Sequence, residues 1–179
     1  MQEFKKVYIL LTYTGTFPSK LIKLYTKKTF SHVSISLDKD LTELYSFGRK
    51  YLRFPFIGGF IQENPSIGVF ALYPDTLCRL YEIPVSKRQY TKIKQEIEKF
   101  KSQKSKYSYN FIGLAGLMLN RRIVVKDRYF CSQFVAKVLE DSKVNLFDKS
   151  SEFVTVEDFN IQLVNNPMIF EGNLQKYNK

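Results

Sequence analysis

The segment Ser31-His-Val-Ser-Ile-Ser-Leu37 alternates without a break. Val33, Ile35 and Leu37 lie on one side and His32, Ser34 and Ser36 on the other, the two-residue period of a strand with one apolar face. Asp38-Lys39-Asp40 then supplies turn residues, and Leu41 to Phe47 reads as the returning antiparallel partner. A hairpin of this kind commits the chain to an antiparallel sheet and excludes an all-helical fold.

The remaining elements fit around that hairpin. Val7-Tyr-Ile-Leu-Leu-Thr12 reads as a buried strand, followed by a turn at Thr14-Gly15-Thr16 and a helix from Pro18 to Lys27, with Leu21, Ile22 and Leu24 on its apolar side. From Gly48 to Pro74 the chain is rich in Gly, Pro and aromatics, which predicts an ordered loop packed over the core. Leu77 to Pro84 reads as a strand, and Ser86 caps a helix running to about Ser102. Asn110 to Leu119 predicts a short buried helix, with its two glycines at close packing contacts. Phe130 to Asp141 predicts an amphipathic helix, Phe134, Val135, Val138 and Leu139 opposite Lys137, Glu140 and Asp141. Thr155 to Leu163 predicts another, since Thr155 and Asp158 have capping-box spacing. Gly172 to Lys179 reads as a tail.

Bulk properties bound the function. At 179 residues and 44% apolar content, the chain is expected to form one domain, residues 1–179, with a real core. It has no apolar run of transmembrane length and no signal-peptide profile, so a cytoplasmic protein is expected. A net charge of +11 attracts anions, but Lys and Arg are spread along the chain without the basic-aromatic interleaving of a base-stacking platform. No nucleic-acid partner is expected; peripheral contact with a membrane surface is allowed. One histidine and two cysteines provide neither a disulfide framework nor a metal-ligand set, and no cofactor is expected.

The chemistry rests on those few residues. Cys131 opens a predicted helix behind Tyr129 and Phe130, where the helix dipole and unpaired amides stabilise a thiolate. His32 is on the polar side of the alternating strand, where Ser34 and Ser36 leave room for a helix end. A thiolate at a helix N-terminus with an imidazole on the adjoining strand is what nucleophilic thiol catalysis requires. Cys78 alternates with Leu80 in a strand and reads as packing.

Three patches carry a resemblance: Ser31-His32-Val33-Ser34-Ile35, the returning Leu44-Tyr45-Ser46-Phe47-Gly48, and Tyr129-Phe130-Cys131-Ser132-Gln133-Phe134-Val135. Together they resemble the permuted branch of the NlpC-type papain-like superfamily. This branch includes the YiiX-like proteins and is related to lecithin retinol acyltransferase. In it the histidine strand precedes the cysteine helix, as His32 precedes Cys131 here.

The resemblance implies an α+β, circularly permuted papain-like fold, a small antiparallel sheet with the cysteine at the N-terminus of a packed helix. It implies a thiol hydrolase or acyltransferase that cleaves an amide or ester through an acyl-cysteine intermediate, with Cys131 as nucleophile and His32 as base and then acid. A third polar residue on the strand after the histidine orients the ring. Glu43 takes that place if a two-residue turn pairs it with Ser36, and Ser46 does if the register shifts by one. The Cys131 amide is the natural oxyanion donor, with Tyr13 or Thr14 as the second. Tyr45, Phe54, Phe56 and Phe60 line an apolar groove or belong to the core. The expected substrate is a peptide, an isopeptide or a lipid acyl group with anionic character. The alternative is an inactive module of the same fold that binds anionic ligands or a membrane surface.

Overall fold

The computed structural model describes residues 4–15, 29–50, 57–118, 121 and 123–177. The predicted helix 18–27, the groove candidates Phe54 and Phe56, and the last two residues lie outside that set.

Six strands form one antiparallel sheet: β1 (Phe4–Tyr13), β2 (His32–Ser36), β3 (Leu44–Arg49), β4 (Gly58–Glu63), β5 (Leu77–Ser86) and β8 (Met168–Asn173), ordered β4-β3-β2-β1-β5-β8. Two further strands, β6 (Ser108–Tyr109) and β7 (Arg128–Tyr129), make a short parallel pair. The helices are α1 (Gly68–Leu72), α2 (Lys87–Ser102), α3 (Phe111–Met118), α4 (Cys131–Asp141) and α5 (Val156–Gln162). The chain therefore has an α+β architecture.

Both faces of the sheet are covered, which explains why β1 is apolar in consecutive positions. Val7, Ile9 and Leu11 face the larger core with Val33, Ile35 and Phe47, under Ile93, Ile97 and Phe100 of α2 and Phe134, Val135 and Val138 of α4. Tyr8 and Leu10 face a smaller core with Leu44, Cys78 and Leu80, closed by Leu41, Phe70 and Leu174. At the centre of the larger core, Phe47 meets Phe60, Phe100, Phe134 and Tyr129 with ring centroids 5.3–6.1 Å apart. Such pairs are each worth about 0.5–1.5 kcal/mol beyond the area they bury.

Local signals explain the helix starts. Ser86 accepts from the Gln89 amide while the Gln89 side chain accepts from the Ser86 amide, a complete capping box for α2. Thr155 and Asp158 do the same for α5, with Asp in place of the usual Glu.

Four expectations change. The 48–74 region contains β4 and α1 rather than only a loop; Gly58 and Gly59 hide the strand from a propensity reading because both are poor strand formers. The 172–179 segment is no tail as far as residue 177, because β8 pairs with β5 and Leu174 is buried. α3 forms, yet Phe111, Ile112 and Ala115 are exposed, so it is a surface helix. The link between β2 and β3 is also longer than a two-residue turn. Leu41 takes φ 60° in it, and the Asp38 carboxylate accepts from the amides of Thr42 and Glu43.

Candidate active site

Cys131 is the first residue of α4, and Phe130 before it is extended in the N-cap position. Phe130 has no side-chain oxygen, so it cannot use the first-turn amides as a Ser or Asp cap would. The Ser132 amide instead hydrogen-bonds the Cys131 sulfur, as does the Val33 amide of β2. The Ser132 hydroxyl donates to the Val154 carbonyl at 2.7 Å and anchors the helix start.

His32 reaches the same sulfur. Its side chain hydrogen-bonds Cys131, while Nε2 lies 2.9 Å from Glu63 Oε1 at the end of β4. Nδ1 is therefore the ring nitrogen left for the sulfur. The other Glu63 oxygen accepts from the Ser34 hydroxyl, so both carboxylate oxygens are engaged. The ring is only 20% exposed and the carboxylate 10%, so their mutual attraction is weakly screened.

The electrostatics follow from this clasp. Burial works against the imidazolium, but the charge and hydrogen bond of Glu63 and the sulfur outweigh it, and His32 titrates at about 10. Burial also works against the thiolate. The His32 hydrogen bond and charge, with the two amides, prevail and hold Cys131 below its ordinary value. The favoured resting state is a thiolate–imidazolium pair. Cys78 has no such partner: burial pushes its thiol up to about 12.

A fourth group completes the site. The Tyr109 hydroxyl hydrogen-bonds the Cys131 sulfur and accepts from the Cys131 amide; burial first, then the sulfur's charge, keep the phenol protonated well above its ordinary range. β6 holds this residue in place, since the Asn110 amide donates to the Tyr129 carbonyl at 3.0 Å. A Cβ added at Gly58 would come within 2.8 Å of the Tyr109 Cβ, so glycine is needed for the ring to lie against β4.

Of the sequence candidates, the structure brings together Cys131 and His32. Ser46 is corrected: its hydroxyl donates to the Val33 carbonyl at 2.7 Å instead of orienting the ring. Glu43 is corrected as well, because Ser36 pairs with Leu44 and leaves Glu43 in the β2–β3 link, where its amide binds Asp38. Glu63 holds the ring instead. Tyr13 ends β1 opposite Leu77, and Thr14 follows it; the hydroxyl found on the sulfur is that of Tyr109. Tyr45 and Phe60 belong to the core, their rings stacked 5.9 Å apart. The space beside Ser34 receives the Glu63 carboxylate, while α4 packs on the Val33–Ile35 face.

Glu63 and Tyr109 are the two groups of this candidate site that the sequence did not signal. Comparison of the chain with protein-family models, with curated proteins and with solved structures returned no match. Among the described residues, no three His, Cys, Asp or Glu side chains form a metal-binding group, and no helix is long and apolar enough to cross a membrane.

Proposed function

We propose that the protein is a cysteine hydrolase or acyltransferase of permuted papain-like architecture, acting on an amide or ester through an acyl-Cys131 thioester. One observation carries this reading: a single imidazole is held between a buried carboxylate on Nε2 and a sulfur at a helix N-terminus. Burying a carboxylate beside a ring costs several kcal/mol unless the charges are used against each other. A thiolate–imidazolium pair uses them and yields a nucleophile at neutral pH.

The steps follow from the placement of the donors. The sulfur attacks the carbonyl carbon and forms the S–C bond, while the carbonyl oxygen gains charge beside the Cys131 amide and the Tyr109 hydroxyl. An oxygen placed there takes both donors; in the free protein the amide donates to the Tyr109 hydroxyl oxygen and the hydroxyl is directed at the sulfur. As the intermediate collapses, the C–N or C–O bond breaks and the leaving group takes the proton from His32 Nδ1. Water, or an acceptor alcohol or amine, then gives a proton to Nδ1 and attacks the thioester. The acid or transferred acyl product departs and the thiolate returns. Glu63 acts through His32, holding the ring and its charge.

Intact-protein mass spectrometry after exposure to an electrophilic thiol probe tests the reading. One adduct on the wild-type protein is expected, absent from Cys131→Ala and strongly slowed in His32→Ala. The alternative, a catalytically silent module that binds anionic ligands, draws on the burial of Cys131 beneath Tyr109, with the thiol residue only 4% exposed. Slow and equal labelling of Cys78 and Cys131 would favour that alternative.

A further inference from the structure

We infer that α3 and residues 121 and 123–125, which return along it, form a lip that docks the site on an anionic phospholipid surface. Four large apolar residues there face solvent: Phe111 is 42% exposed, Ile112 57%, Ile123 39% and Val124 52%. They form one surface feature, because the Arg121 amide donates to the Gly116 carbonyl at 2.8 Å and a Cβ on Gly116 would meet Ile123 Cδ1 at 2.8 Å. Ile123 lies directly on the helix. The lip also begins at the site: the Phe111 ring centroid is 4.6 Å from that of Tyr109, whose hydroxyl touches the Cys131 sulfur.

Charge indicates what covers the lip. Residues 101–128 hold seven Lys and Arg against one acid, Asp127, so this stretch carries more than half of the chain's net +11. That acid is already matched, with Lys106 Nζ 3.3 Å from its carboxylate. Arg121, Lys126 and Arg128, within a few residues of Ile123 and Val124 in the chain, are exposed. β6 pairing with β7 places the lysine-bearing turn before Ser108 next to Asp127 and Arg128, which extends the basic stretch. A patch that faces a second protein core needs few charges. Apolar side chains accompanied by cations instead match the headgroup region of a bilayer, where the acyl boundary takes the former and anionic lipid the latter.

The purpose given to the lip, presenting lipid acyl esters to Cys131, rests on the catalytic reading above; the docking does not. Flotation with phosphatidylcholine vesicles, with and without phosphatidylglycerol, separates the two, using wild-type protein and Cys131→Ala. Both proteins are expected to float with the anionic vesicles and not with the neutral ones, and less so as salt rises. The pair Ile112→Glu and Val124→Glu, and separately Arg121→Glu with Lys126→Glu, should weaken binding at least about tenfold. Each variant should keep the thiol-probe labelling of Cys131 in solution, which reports an intact fold. Absence of wild-type flotation, or variants that float as well as wild type, would overturn the lip. So would a wild-type dimer split by the Glu pair, which would make a second copy the occupant. Flotation without probe labelling would retire the catalytic reading and leave the docking surface standing.

Discussion

The carboxylate of Glu63 reaches the imidazole of His32 from two strands away, with Oε1 2.9 Å from Nε2 although β3 runs between β4 and β2. The interaction follows a diagonal of the sheet, and its partner at the other end is a sulfur on a helix. Two sequence-distant groups are thereby coupled through one ring.

Replacing Glu63 by Gln keeps an acceptor for Nε2–H and removes the charge. Turnover should fall on the order of 10²-fold, less than the loss from a wrong tautomer, because the ring is still oriented. A far-ultraviolet spectrum and thermal melt that match wild type would show that the loss is chemical. Wild-type turnover in Glu63→Gln would remove Glu63 from the mechanism.

The pH dependence has a defined sign. His32 is raised from 6.5 to about 10, so its contribution to stability is fully present below the unfolded value and is lost as pH rises through about 10. Cys131 lies below its ordinary 9.0, so its contribution is present above that value and is lost as pH falls through the folded one. Turnover should therefore decline above about pH 10 as the pair loses its shared proton, and Glu63→Gln should move that limb to lower pH. Initial rates against pH for both proteins check this.

Tyr109→Phe removes the hydroxyl and leaves the ring. The expected loss is about 10²–10³-fold in kcat with a much smaller change in KM, as when one oxyanion donor is deleted. Alkylation of the thiol should stay fast, because the His32 contact is retained. A drop in KM alone would assign Tyr109 to covering the site.

Gly58→Ala tests the support beneath that tyrosine. The new Cβ would be 2.8 Å from both the Gly48 carbonyl oxygen and the Tyr109 Cβ. Crowding of this kind costs about 1–3 kcal/mol, read as a lower urea midpoint, and turnover should fall further than the stability loss alone explains.

Iodoacetamide should discriminate between the two cysteines. Cys131 is expected to react at mildly acidic pH, while Cys78, buried and pushed up to about 12, should stay unmodified until the protein unfolds. Peptide mapping after timed quenching reads both rates.

The dyad was legible in the sequence because each half lies on an element with a strong local signal. The 31–37 alternation places His32 on a strand, and the apolar spacing after Phe130 places Cys131 at a helix start. Glu63 was not legible for two physical reasons. It follows Gly58 and Gly59 in a strand with a weak signal, and its reach to His32 requires the order of three strands rather than the register of one hairpin. Tyr109 sits on a strand only two residues long, whose parallel partner is Tyr129, and so short a pairing leaves no periodicity to read. The exposure of α3 was hidden for another reason. Its composition is that of a core helix, and apolar content alone does not say what the surface faces.

Phe130 meets two demands with one side chain. An Asp or Ser in its place would tie down the opening turn of α4, worth about 1 kcal/mol, but Phe130 is only 2% exposed, and losing its buried ring would cost about 3–5 kcal/mol. Such a cap would also compete with the sulfur for the same N–H groups and set a rival anion or dipole beside the nucleophile. Packing and an unencumbered sulfur therefore ask for the same oxygen-free side chain at the head of α4.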